Sequence, residues 1–161
     1  MQYDRLVLGR LYEKQNCSAA RALEVVGERW SLLILRDALF GGTRRFSDFQ
    51  RSLGVAPNIL AKRLEDFIAA GIMKARSFSP ETGHREYVLT AKGRDLKPIV
   101  IALTTWGDRW AAPNGPPVVL EHEGCGGRVK QQLYCSACRD NPKLTDVLAR
   151  PTNASRVAGR R

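Results

Sequence analysis

The apolar positions of this chain change period along its length, and each change marks an element. Leu6, Val7, Leu11 and Tyr12 fall on one face of a short leading helix. Cys17-Ser18 closes a polar stretch and opens a second helix carrying Ala19, Ala22, Leu23 and Val26, which Gly27 breaks. From Trp30 to Leu39 the apolar residues lie almost all round, as expected of a central buried helix, and Gly41-Gly42 stops it. A short pattern, Phe46–Leu53, precedes a tight turn at Gly54-Val55-Ala56. The next helix opens on Pro57, a favourable first position because proline's missing N–H would be unpaired there anyway. Its Leu60, Leu64, Phe67, Ile68 and Gly71 share one side, and Asn58, Ala61, Lys62 and Glu65 share the other. Ala56 is a poor N-cap, so packing or a bound phosphate must hold this end.

After Gly71 the pattern turns strand-like over Ile72–Phe78 and Arg85–Leu89, joined by the turn-rich Ser79–Gly83. Thr90 is a suitable N-cap for a last long helix, in which Leu96, Ile99, Leu103, Trp106 and Trp110 recur at spacings of 3, 4, 3 and 4. That stripe is expected to be a dimer seam; the other reading packs it within the monomer. Ala111–Pro117 is a break in composition. Val118–Glu121 and Arg128–Tyr134 read as two short strands, and from Asn141 the chain becomes polar and basic, as a disordered tail would be. The expected segments are a helical dimerisation arm over 1–16, a main domain over 17–112, a small appendage over 113–140 and the tail over 141–161.

Two helices, a hairpin and this order define a mainly α fold with a small β wing, a winged helix-turn-helix. The charge agrees. The 161 residues carry a formal net charge of +10, and between Arg44 and Arg94 alone ten Lys/Arg face five Asp/Glu. Such an excess points to a polyanion, above all double-stranded DNA. The outer face of the Pro57 helix then reads bases: Asn58 can pair with adenine, Lys62 can donate to guanine, and Ala61 can meet a thymine methyl, with Pro57 at the entry. Arg44, Arg45, Arg51, Lys74, Arg76 and Arg85 would position the DNA backbone, while Arg63, toward the side, meets phosphate or a nearby acid. For any one of these residues a solvated surface role competes; for the group it does so far less. His84 is a turn residue first.

No run is long or apolar enough to span a membrane, and the first residues have no apolar stretch of signal-peptide length, so a cytoplasmic protein is expected. Structural disulfides do not suit that compartment, so the four cysteines point to different chemistry. Cys17, just before a helix, is either a thiolate stabilised by the helix N-terminus or a small buried residue. His122, Cys125, Cys135 and Cys138 form H-x2-C-x9-C-x2-C, two chelating pairs that suit tetrahedral zinc in a ribbon-like β segment; disulfide switching and free thiols are the alternatives. With all four positions filled, the metal would be structural.

The stretches Cys17–Arg36, Arg45–Phe49, Leu60–Leu64, Gly71–Met73, Glu86–Thr90 and Lys92-Gly93 resemble the HxlR family of bacterial transcription regulators. The resemblance implies a MarR-like winged helix-turn-helix dimer, joined by its N- and C-terminal helices and binding two-fold operators. It also places Cys17 at a position that in some members senses electrophiles or oxidants. Ser18 stands where that family commonly has Pro, Ala56 where a capping Ser is usual, and Ser79–Arg85 departs from the usual Pro-rich wing. The expected function is sequence-specific regulation of transcription, with a thiol-reactive or small-molecule effector. The alternative is an interaction module whose winged domain and zinc ribbon dock a transcription partner. An enzyme is excluded by the lack of any nucleophile–base pair, paired carboxylates or phosphate loop.

Overall fold

The computed structural model describes residues 12, 15–77 and 85–152. Described residues up to Val100 form one compact unit, and those from Ile101 a second. The first unit contains α1 (Ser18–Val26), α2 (Ser31–Phe40), α3 (Phe46–Leu53), α4 (Pro57–Ala69), β1 (Met73–Ser77), β2 (Arg85–Leu89) and α5 (Ala91–Arg94). α6 (Lys97–Trp110) begins in it and ends in the second unit. Leu6, Val7 and Leu11 of the expected leading helix, and His84 with the turn before it, lie outside the described residues.

The apolar stripe of α4 is the spine of the core. Leu60 and Leu64 are fully buried and Phe67 nearly so, against Ile34 and Leu35 of α2, Phe49 of α3 and Met73 of β1. Burying a side chain of this size contributes roughly 1.5–3 kcal/mol. α2 is less enclosed than its composition suggests: Ile34 and Leu35 face the core, while Leu33 and Phe40 are exposed. Between α3 and α4 the chain turns on Gly54, whose φ of 62° lies in the left-handed region that glycine adopts without strain. Val55, buried, pins the turn, and Ala56 caps α4 with no side-chain hydrogen bond.

β1 and β2 pair antiparallel from Met73↔Leu89 to Ser77↔Arg85. Arg44-Arg45 adds an edge: the Tyr87 N–H donates to the Arg44 carbonyl at 2.8 Å, and Arg45 bridges Glu86. The helix expected to start at Thr90 is two helices. Thr90 does cap, accepting the Gly93 N–H at 3.2 Å, but α5 ends at Arg94 and α6 starts anew. Pro98 explains the break: it has no N–H for the Arg94 carbonyl and suits a first turn.

In the second unit the two strands expected at Val118–Glu121 and Arg128–Tyr134 do not form. Only an isolated bridge joins Glu121 to Arg128. No residue from 111 to 152 is buried, so no apolar face holds a ladder together. The segment expected to be a disordered tail contains an ordered 3-10 turn, Leu144–Asp146, before the described residues end.

Candidate nucleic-acid interface

The stripe that buries α4 leaves its other face open. Pro57, Asn58, Ile59, Lys62 and Glu65 are exposed, and Ala61 is half-buried at the edge of that face. Ile59 was not among the sequence candidates. It is an apolar residue outside the i, i+4, i+7 stripe, and that mismatch is the signal that marks it. Ile59 presents more apolar surface on that face than half-buried Ala61 does.

Lys62 and Arg63 share one acid. Lys62 Nζ hydrogen-bonds Asp66 Oδ1, and Arg63 approaches Asp66 Oδ2 at 3.4 Å and Glu28 at 3.8 Å. The Asp66 side chain is only 10% exposed, Arg63 18% and Lys62 59%. Arg63 therefore meets the acidic alternative expected for it, as an ion pair with Asp66 and Glu28. Lys62 supplies the hydrogen bond to Asp66, whereas Arg63 makes only the longer ion pair and leaves Asp66 Oδ2 buried without a hydrogen-bond partner. Arg51 pairs with Asp48 at 2.8 Å but remains largely exposed, a surface ion pair of little energetic weight.

The wing register sorts the other cations. Side chains alternate between faces, so Lys74, Arg76, Glu86 and Val88 share the outer face, while Met73, Tyr87 and Leu89 point to the core. Across the sheet Arg45, Glu86 and Arg76 form one row. Arg45, Arg76 and Lys74 are thereby brought together with Glu86 between the two arginines. Arg85 lies on the opposite face at the wing's start, and Arg44 is offset from Arg45 by one residue.

Outside this face, Leu96 packs against the core, whereas Ile99, Leu103, Trp106 and Trp110 are exposed, the tryptophans by 60% and 65%. Cys17 is exposed, and backbone N–H groups of Ala20 and Ala19 at the start of α1 lower its thiol pKa. The buried alternative for it falls away. The sequence-predicted ligands fall into two pairs, His122 with Cys125 and Cys135 with Cys138, and no cluster of three or more such groups forms among the described residues. No helix among them is long and apolar enough to cross a membrane.

A short helix, a left-handed glycine turn, an open second helix and a basic two-stranded wing define a winged helix-turn-helix DNA-binding protein. The HxlR-like helix-turn-helix family matches residues 25–115, and the chain belongs to that family of transcriptional regulators. It is not an enzyme family. The HTH-type transcriptional regulator Rv3095 of Mycobacterium tuberculosis is 40% identical over 135 residues, 83% of this chain and 85% of that one. The crystal structure of PA1607 superposes with a TM-score of 0.77 at 38% identity, covering 86% of this chain and 97% of that one. The redox regulator HypR, in its reduced form, matches 58% of this chain and 92% of its own at 28% identity and a TM-score of 0.54.

Proposed function

We propose that this regulator acts as a homodimer on a two-fold operator, each protomer laying the start of α4 in a major groove and its wing on the flanking backbone. The observation that carries the base-reading half is the open face of α4 from Pro57 to Lys62, directly at the helix N-terminus. Asn58 and Lys62 supply hydrogen bonds to base edges and Ile59 an apolar contact. The exposed stripe from Ile99 to Trp110 supports the dimer. Such a regulator works where the DNA is, in the cytoplasm.

Selection of genomic fragments by the purified protein tests this reading: an inverted repeat should be enriched. Within that repeat, Asn58→Ala is expected to weaken operator binding about 10–100-fold, the usual worth of one or two good base contacts. Binding to random duplex should barely change. An equal loss on both DNAs would make Asn58 a backbone contact instead.

The outer wing face carries a second expectation. Arg45→Gln and Arg76→Gln should each lower the slope of log affinity against log salt by about 0.9 for every phosphate the arginine neutralises. Titrations at several salt concentrations read this directly, and an unchanged slope would remove both residues from the interface.

Signal input is proposed at Cys17. Its exposure and its lowered pKa favour the thiolate, the form that reacts with electrophiles and oxidants. Cys17→Ser should keep operator binding and lose its sensitivity to a thiol-alkylating reagent; retained sensitivity would move the input elsewhere.

A further inference from the structure

The appendage contains the same turn twice. In the first copy the His122 N–H donates to the Gly127 carbonyl at 2.9 Å, and the Gly126 N–H donates back to the His122 carbonyl at 2.8 Å. In the second the Cys135 N–H donates to the Asp140 carbonyl at 2.9 Å, and the Arg139 N–H to the Cys135 carbonyl at 2.9 Å. The fifth residue is left-handed in both, Gly126 at φ 68° and Arg139 at φ 58°. Arg139 is the one non-glycine with positive φ among the described residues, so the second turn keeps this shape against its own steric preference. The paired positions one and four hold His122 and Cys125 in the first turn, Cys135 and Cys138 in the second.

The first pair is already set to chelate. His122 Nδ1 lies 3.3 Å from Cys125 Sγ. A tetrahedral ion with bonds of about 2.0–2.1 Å to nitrogen and 2.3 Å to sulfur needs these donors about 3.5 Å apart. Neighbouring glycines clear the space: a Cβ on Gly124 would crowd the His122 ring at 3.3 Å, and one on Gly127 would crowd Cys125 Sγ at 3.3 Å. In the second turn the N–H groups of Cys138 and Ala137 and the Cys138 thiol all approach Cys135 Sγ. Meanwhile no residue from 111 to 152 is buried, and Val118, Val129, Leu133 and Tyr134 stand exposed. Apolar packing does not account for two matched turns in such a segment, whereas a metal staple does.

We propose that His122, Cys125, Cys135 and Cys138 of one chain together bind a single structural Zn²⁺. The turns are two half-sites that stand as separate pairs among the described residues, and binding of the ion would close them into one site. Binding deprotonates three thiols, releases three protons and leaves a centre of net charge −1 with a neutral imidazole. This inference is independent of the DNA-reading assignment, because its readouts are the metal and the thiols.

The test uses the full chain, dialysed and then analysed for zinc, with Co²⁺ as a spectroscopic probe. About one zinc per chain is expected, as for a closed four-ligand site. Co²⁺ should give a tetrahedral spectrum with thiolate charge-transfer bands. Cys125→Ser combined with Cys138→Ser should abolish both, and Cys17→Ser should change neither. Thiol titration of the zinc-loaded protein should find Cys17 reactive and the other three protected until a chelator is added. Zinc-free protein with three reactive thiols after metal loading would overturn the proposal. So would a Cys135–Cys138 disulfide in reduced, zinc-supplemented preparations, or one zinc shared between two chains.

Discussion

Trp106→Asp is expected to turn the protein into a monomer and to lower operator affinity by about 100-fold or more, the gain that linking two half-site readers ordinarily provides. Trp106 is 60% exposed in the single chain and lies between Leu103 and Trp110 on one stripe of α6. Tryptophan buries on the order of 150–250 Å² when covered, so this stripe is the largest apolar surface the helix offers. A two-fold seam would bury two aspartates per dimer, and an unpaired buried carboxylate costs several kcal/mol. Sedimentation and operator titration on the same sample read the two effects together. Trp106→Phe, which keeps the apolar face, should stay dimeric. A dimeric Trp106→Asp protein would move the seam elsewhere. A monomer that binds the operator undiminished would show that one protomer reads the whole site.

The winged domain was legible because its elements are periodic and bounded by punctuation. Leu60, Leu64 and Phe67 of α4, Gly54 and Pro57 all stand where the pattern placed them, whereas Gly71, read as the end of the same stripe, lies past the helix with a φ of 69°. The division between α5 and α6 was less visible, because Leu96 to Trp110 keeps one spacing across it and only Pro98 betrays the join. Partnerships of charge were less legible still. Nothing in the sequence says that Lys62 and Arg63 meet the same acid, Asp66, one by a hydrogen bond and the other by a longer ion pair. Glu86 likewise looks like one acid in a basic region until the register places it between Arg45 and Arg76. In the appendage the ligand spacing was readable, but alternation suggested strands. Alternation predicts a strand only where one face can be buried, and here neither is.

Gly93→Ala is expected to destabilise the domain by about 3 kcal/mol, the upper part of the range for overpacking a tight interior. An added Cβ would lie 2.2 Å from the Ile72 carbonyl oxygen and 2.9 Å from Leu89 Cδ2. The first of these is backbone, at the root of the wing, and cannot swing aside. Around it α5 clasps the end of α4. The Thr90 hydroxyl donates to the Gly71 carbonyl at 2.7 Å, the Thr90 N–H donates to the Ile72 carbonyl at 3.0 Å, and Lys92 Nζ donates to the Ala70 carbonyl at 2.7 Å. Lys92 satisfies the carbonyl at the C-cap of α4 and places a cation where the helix dipole favours one, while Thr90 holds the two carbonyls that follow the helix. The Lys92-Gly93 step thus has a physical reason: lysine caps α4, and glycine lets the backbones approach closely enough for it to do so. Forcing them apart would loosen the wing relative to the reading helix, so the variant should also lose operator affinity at temperatures where it remains folded. Denaturant unfolding and operator titration separate the two. A loss of stability below about 1 kcal/mol would mean that the wing root yields readily, and the clasp would then not fix the wing against α4.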